Sequence, residues 1–205
     1  MRILVATSNQ GKLREFQIAA QKSGASDVEF APLPDFRSLP TVEETGSTFA
    51  ENAGIKAIHY SGFTEDLLFA EDSGLVVDAL GGAPGVYSAR FAGPNADDEA
   101  NNRLLLERLH GVEDRAARFV CVIAVARRRE LIATFEGAVE GRILHAPQGT
   151  HGFGYDPLFF HPPSGCSTAE LDPETKLSIS HRGKAFASML SWLLTSENPS
   201  AIGPD

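Results

Sequence analysis

The sequence predicts an α/β fold built on a mixed β-sheet with flanking helices. Three observations lead there. Apolar runs of strand length alternate with amphipathic segments of helix length. Two further apolar runs flank the basic turn Arg127-Arg128-Arg129, the pattern of an antiparallel hairpin that a wholly parallel sheet would not contain. The chain has 205 residues, 42% of them apolar, enough to bury a sizeable core in one domain or two tightly joined lobes.

The elements follow in order. Ile3 to Ala6 reads as a buried strand and meets the polar turn Thr7-Ser8-Asn9-Gln10-Gly11. A helix is predicted from Lys12 to Gln21, with Leu13, Phe16 and Ala20 on one face. A second strand is expected near Val28 to Ala31, and Pro32 to Gly46, Pro-rich and acidic, reads as a loop. Thr48-Phe49-Ala50-Glu51 fits a capping box opening a helix that ends near Tyr60. Leu67 to Ala70 is a short strand leading into Glu71-Asp72-Ser73-Gly74, with Leu75-Val76-Val77 beyond. Gly81 to Gly85 must turn. Asp97 to Leu109 is a helix carrying Leu104, Leu105 and Leu109.

Phe119 to Ala126 and Glu130 to Glu136 form the hairpin, and Val139 to Leu144 is a separate strand. His145 to Tyr155 is a Gly-rich loop before the strand Leu158 to Phe160. The last helix spans Arg182 to Leu194, with an apolar stripe of Phe186, Met189, Leu190, Leu193 and Leu194. No repeat or linker interrupts residues 1–195, which read as one functional unit. Residues 196–205 contain Pro199, Gly203 and Pro204 and are expected to be a loose tail.

Charge limits the partners. A formal net charge of −9 makes the surface as a whole repel nucleic acid and anionic membranes, so neither is expected as a partner. A phosphate-bearing ligand then needs a local cationic site, with help from a divalent metal. The two cysteines cannot build a disulfide framework or a zinc site; Cys121, inside an apolar run, reads as a buried free thiol. No apolar stretch approaches membrane-spanning length, and the start is too short for a signal peptide before the first motif begins. A cytoplasmic protein is expected.

Four segments can carry chemistry. Thr7-Ser8-Asn9-Gln10-Gly11-Lys12 lies between a strand and a helix, where free N–H groups and the helix dipole favour an anion. Its glycine spacing is not that of a Walker loop, and its plain alternative is an ordinary helix cap. Glu43-Glu44 and Glu71-Asp72 supply the oxygen donors that magnesium prefers. Such pairs are usually solvated surface charge, but Glu71-Asp72 sits between apolar runs, where carboxylates are costly unless paired or metal-bound.

Gly152-Phe153-Gly154-Tyr155-Asp156-Pro157 places an aromatic ring beside glycines that let a backbone approach a ligand; alone it would read as a tight turn with core aromatics. Ser180-His181-Arg182 opens the last helix, and its plain alternative is a cap with exposed charges. Lysine is scarce, five against 13 arginines, yet Lys12, Lys56 and Lys176 fall in or near these segments. Compact ammonium groups suit phosphate oxygens.

Taken together these segments resemble the ITPase family of non-canonical purine NTP pyrophosphatases. The resemblance rests on Thr-Ser-Asn-x-x-Lys at 7–12, Glu-Thr-Gly-x-Thr-Phe-x-Glu-Asn-Ala at 44–53 and Glu-Asp-Ser-Gly-Leu at 71–75. It continues with Leu-Gly-Gly-Ala-Pro-Gly-Val-Tyr-Ser-Ala-Arg at 80–90, Gly-Phe-Gly-Tyr-Asp-Pro at 152–157 and Ser-His-Arg-Gly-Lys-Ala at 180–185. Any one segment is weak evidence; all of them in this order, from Thr7 to about Leu194, are specific. His151 departs from the small residue expected at its position.

The resemblance implies an ITPase-like nucleotide hydrolase fold: an elongated mixed sheet flooring a central cleft between two lobes, usually as a homodimer. It implies a magnesium-dependent hydrolase that converts dITP, ITP and XTP to the monophosphate and pyrophosphate. Residues Thr7, Ser8, Asn9, Gln10, Gly11 and Lys12 would hold the triphosphate. Glu44 and Asp72 would bind Mg2+, with Asp72 also the proton acceptor and Glu71 assisting. Ser73, Phe153, Gly154, Tyr155, Asp156, Lys176, His181 and Arg182 would contact substrate.

Water attack on a phosphoanhydride needs charge neutralisation and a positioned water, which these residue types can provide without a covalent nucleophile. Two rivals remain at this level. A pyrophosphatase for pyrimidine or methylated nucleotides, as in the related Maf-like group, fits the motifs less well. A nucleotide-sensing module that had lost catalysis would not need Glu44, Asp72 and Lys12 intact.

Overall fold

The computed structural model, which describes residues 1–23 and 28–195, is built on a seven-stranded sheet. The chain order is β1 (Arg2–Val5), α1 (Gln10–Lys22), β2 (Glu29–Pro32), α2 (Phe49–Tyr60), β3 (Leu67–Val77), α3 (Asp98–Arg108), β4 (Ala116–Arg127) and β5 (Glu130–Ile143). β6 (Phe159–His161), β7 (Cys166–Ser167), α4 (Pro173–Ile179) and α5 (His181–Leu194) complete it. The strand order is β2-β1-β3-β4-β5-β6-β7. β1 lies parallel to β2 and β3, and every later neighbour is antiparallel, so the sheet is mixed as expected.

Helices cover both faces of the first half, which is why its strands read as unbroken apolar runs. Alternate residues divide between two cores. Ile3, Val5, Phe69, Cys121 and Ile123 face α1 and α5, where Phe16, Phe186 and Met189 meet them. Leu4, Leu68, Ala70, Val122 and Ala124 face α2 through Ala53, Ala57 and Tyr60. A third core joins Leu75, Leu105, Phe119, Val139 and Phe159 at the distal end, under α3. The long strands β3 and β4 run past all three cores, so the cores share one sheet.

The capping box at Thr48 is present, with Thr48 accepting from the Glu51 N–H and Glu51 reaching back to Thr48. Asp97 likewise caps α3. The hairpin turns through Arg128 and Arg129, both left-handed. Cys121 is a buried free thiol. Among the described residues no helix is long and apolar enough to cross a membrane. The predicted loose tail lies outside the described residues.

Several boundaries differ from expectation. β3 does not stop at Ala70; it continues through Glu71, Asp72, Ser73 and Gly74 because the segment pairs with β4 from Leu68↔Ala126 to Val77↔Ala117. This long-range pairing overrides the poor strand preference of those four residues. The segments expected at Glu130–Glu136 and Val139–Leu144 are one strand ending at Ile143, since Gly137 is no break: a Cβ there would lie 2.2 Å from the His181 carbonyl, so the glycine admits α5 onto the sheet. α1 begins at Gln10, two residues earlier than read, because Asn9 caps it. Leu194 leaves the apolar stripe and is 57% exposed. β7 and α4 were not anticipated, although Asp172 capping Pro173-Glu174-Thr175 is a legible helix start.

Candidate active site

The connection after β1 sends α1 to one face of the sheet, and the connection after β2 sends α2 to the other. The carboxyl end of β1 is therefore a switch point, where open α/β sheets leave a crevice. Residues 6–12 occupy that position. The Asn9 side chain accepts from the Lys12 N–H at 3.0 Å and the Asn9 N–H donates to Thr7 Oγ1 at 3.2 Å. No acidic residue occupies the first turn of α1, which leaves its positive end open to an anion.

Two clefts meet here, and Asn9 and Lys12 line both. The cleft on the α2 side, about 650 Å³, is bordered by Thr7, Ser8, Arg37, Glu44 and Lys56. The Lys56 ammonium lies 2.8 Å from Asp72 Oδ1 and 3.3 Å from Glu44 Oε2, so a loop carboxylate and a strand carboxylate converge on one point. Asn52 donates to the other Asp72 oxygen at 3.4 Å. Burial raises the Asp72 pKa above its ordinary value; Lys56 opposes this and Glu44 adds to it. Lys56 loses proton affinity to burial but gains more from Asp72, Glu71 and Glu44, and stays an ammonium.

Two hard oxygen donors at one cation position suit magnesium, which usually takes one or two protein carboxylates and fills its shell with waters and substrate phosphates. Among the described residues no group of three or more His, Cys, Asp or Glu could hold a metal by itself, so a closed protein cage is not built here.

The second cleft, about 140 Å³, opens on the α1 and α5 side. A chain of alternating charges joins its wall to the larger cleft, which Glu71 borders. Asp156 Oδ2 meets Lys176 Nζ at 2.6 Å, and Lys176 meets Glu15 Oε1 at 2.8 Å. Glu15 Oε2 meets Arg182 at 2.5 Å, Arg182 lies 3.8 Å from Glu71 Oε2, and Glu71 Oε1 pairs with Lys12. Arg182 also donates to Ser73 Oγ at 2.9 Å. Burial alone would raise the Glu71 pKa, but Lys12, Arg182 and Lys56 hold it well below the ordinary carboxylate range. Glu15 is held low in the same way by Arg182 and Lys176 against its burial.

His181 stacks on Phe119 with ring centroids 4.8 Å apart, and its Nδ1 is buried without a partner. Burial, then Arg182 and Lys176, depress its pKa well below the ordinary value, so it presents a neutral imidazole to the cleft. Arg182 Nε is also buried and unpartnered. Phe153 lies under Lys176 and Arg182, with the Lys176 ammonium 4.9 Å from the ring centroid. The Phe153 N–H donates to Asp156 Oδ2 at 2.8 Å, and the buried Tyr155 hydroxyl donates to the Ser88 carbonyl at 2.9 Å.

Most of the residues singled out from sequence are thus gathered around two connected clefts. Ser73, Phe153, Gly154, Tyr155, Asp156, Lys176, His181 and Arg182 line the smaller one. Gln10 is exposed and borders neither, and Gly11 borders a third cavity beside Phe153. His181 and Arg182 are buried rather than the exposed charges of a simple cap, because α5 starts inside the sheet's covered face. The Lys176 ammonium pairs with Glu15 and Asp156.

Sequence reasoning missed Glu15, whose burial between two cations follows from its place beside Phe16 on the inner face of α1. It also missed Asp98 and Asn102 on α3. Asp98 accepts from the Gly154 N–H at 2.6 Å and Asn102 donates to the Gly154 carbonyl at 2.9 Å.

Comparison with known proteins places the chain in a family. The model of the Ham1 family matches residues 3–192. A dITP/XTP pyrophosphatase of Acidobacterium capsulatum is 52% identical over 200 residues, covering 93% of this chain and 97% of that protein. The solved structure of the Staphylococcus aureus Ham1 protein superposes with a TM-score of 0.83 at 40% identity, covering 94% of this chain and 98% of that one. A Ham1 protein from Coxiella burnetii gives 0.84 at 42% identity, with the same coverage.

Proposed function

The chain belongs to the Ham1 family, and from that premise we propose that it is a nucleoside-triphosphate pyrophosphatase. It hydrolyses the non-canonical purine triphosphates dITP, ITP and XTP to monophosphate and pyrophosphate and so cleanses the nucleotide pool. One observation carries the reading: two clefts of different chemistry meet at Asn9 and Lys12. One holds carboxylates and lysines, the other an aromatic ring and buried hydrogen-bonding groups, matching the two ends of a purine triphosphate.

Glu44 and Asp72 are the residues that would hold Mg2+. When bound, the ion neutralises phosphate charge and makes a neighbouring water a better nucleophile. Lys12 and the N-terminus of α1 receive the phosphate chain. Asp72 accepts the proton of the attacking water. The water oxygen forms the new P–O bond, the anhydride bond breaks, and pyrophosphate leaves with its electron pair. Lys56, still an ammonium, stabilises the charge that moves onto the phosphate oxygens.

Base selection falls to His181 and Arg182 at the other end. Hypoxanthine and xanthine carry a 6-oxo acceptor where adenine carries a 6-amino donor. Buried donors facing that position lose their partner when adenine binds. The unpartnered buried Arg182 Nε supports this reading.

The rest of the reading rests on the resemblance: residues 1–195 act as one unit of two lobes, the chain works as a homodimer, and it acts in the cytoplasm where the nucleotide pool lies. A panel of dITP, ITP, XTP, GTP, ATP and dTTP with Mg2+, scored by pyrophosphate release, tests it. Equimolar pyrophosphate from ITP is expected. Faster turnover of dTTP would favour a Maf-like pyrimidine activity, and ITP binding without release would favour a sensor.

A further inference from the structure

We propose that Gly11 is a positioning residue for the aromatic platform of the smaller cleft. By carrying no side chain it lets Phe153 rest against the first turn of α1, and so sets the purine end of the site from within the phosphate-binding segment. The inference rests on the pyrophosphatase reading and moves the duty of Gly11 from the triphosphate to the base end of the site.

Gly11 is the second residue of α1, and its backbone does not adopt the left-handed conformation that favours glycine. Alanine is the better helix former at such a position, so local conformation does not explain the glycine. Space does. A Cβ on Gly11 would lie 2.7 Å from Phe153 Cδ1, 2.9 Å from Cε1 and 3.2 Å from Asn9 Oδ1. The Phe153 ring therefore fills the volume that any side chain at this position would need.

The backbone beneath Phe153 has little freedom to yield. Gly154 is held at both its N–H and its carbonyl by Asp98 and Asn102 of α3. The Phe153 N–H is held by Asp156, itself fixed by Lys176 and Thr168. The ring has room to turn, because Phe153 also borders a third cavity of about 320 Å³ with Arg14, His151 and Leu171. A methyl group on Gly11 thus turns the ring out of the smaller cleft toward the third cavity and leaves the helix in place. The base platform moves while the phosphate contacts of α1 remain.

Steady-state ITP hydrolysis by the wild type, Gly11→Ala, Phe153→Ala and the double variant tests this, together with inhibition by inorganic tripolyphosphate, which has no base. Gly11→Ala is expected to raise KM for ITP by roughly tenfold, the scale of a lost base–aromatic stack. Its kcat should change far less, its thermal midpoint should not fall, and the tripolyphosphate inhibition constant should stay the same. In the Phe153→Ala background the substitution should have no further effect. An unchanged KM overturns the proposal. So does an undiminished effect when Phe153 is absent, or a tripolyphosphate constant that rises in step with KM. Failure of the wild type to release pyrophosphate from ITP would defeat the pyrophosphatase reading itself and this inference with it.

Discussion

Glu71 and Asp72, adjacent in β3, point to opposite faces of the sheet. Glu71 meets Lys12, Arg182 and the Cys121 thiol on the α1 and α5 side, while Asp72 meets Lys56 and Asn52 on the α2 side. The strand's period of two separates a carboxylate committed to a buried charge network from one that faces the Glu44 position. Two acidic residues of nearly identical chemistry therefore acquire different duties, and substitution should tell them apart.

Asp72→Asn should keep the fold and lose most turnover, by about 10²–10⁴-fold in kcat, the usual scale for a lost general base. A carboxamide fills the space but is a poor metal ligand and accepts no proton. Glu71→Gln should instead lower stability by about 3 kcal/mol, because Lys12 and Arg182 would lose a buried counter-charge. Urea denaturation and kcat measured on both variants make the comparison. Near-normal kcat in Asp72→Asn would remove the catalytic assignment.

Turnover of ITP should cease in excess EDTA and return with added Mg2+. Glu44 and Asp72 are carboxylates, which repel a triphosphate unless a divalent cation lies between them and its oxygens. Full activity in the chelator would refute the metal requirement.

Lys12→Ala should act chiefly on KM. Its ammonium contributes charge to ground and transition states alike. The variant also strands Glu71, so its stability should fall as well. A kcat loss with unchanged KM would place Lys12 in the chemical step instead.

kcat/KM should favour ITP over ATP by at least about a hundredfold, since sites with buried donors can reject a mismatched partner by roughly 10⁴-fold. Arg182 should be tested as Arg182→Lys, because Arg182→Ala would leave Glu15 and Glu71 without their shared cation. Lysine keeps the charge but loses the planar fork and the Nε–H. Retained selectivity in that variant would move the discrimination to His181 or to backbone groups.

Acid should destabilise the fold through His181. Burial, reinforced by Arg182 and Lys176 and only partly opposed by Glu71, depresses its pKa well below the ordinary 6.5. The unfolded chain then binds a proton that the folded chain refuses, so this contribution is complete above pH 6.5 and is lost as pH falls through the folded value. Denaturation midpoints at about pH 7.5 and about pH 5 should differ less in His181→Gln than in the wild type. An equal loss in both proteins would assign the acid sensitivity to other groups.

Much of the architecture was legible in the sequence because its signals are local. Thr48 and Glu51 cap α2 from within one turn, and Asp97 caps α3 in the same manner. The basic turn between two apolar runs made the hairpin, and with it the mixed sheet, readable before any contact was known. The active-site segments were legible for the same reason: strand ends, helix starts and Gly-rich loops announce themselves within a few residues.

What neighbours in sequence could not reveal was decided by pairing and packing at long range. β3 runs through Glu71 to Gly74 because β4 pairs with it there, and that continuity sends the two carboxylates to opposite faces. Glu15 becomes part of the site only when α1 packs against α4 and α5, bringing Lys176 and Arg182 to it from far along the chain. Phe153 finds Gly11 because α3 holds its loop. The sequence by itself thus determined the fold class, the order of the elements and the residue types of the chemistry, since these depend on periodicity and short-range hydrogen bonding. Only the tertiary structure decided which carboxylate faces which cation, because burial and charge pairing arise between segments that meet when the sheet assembles.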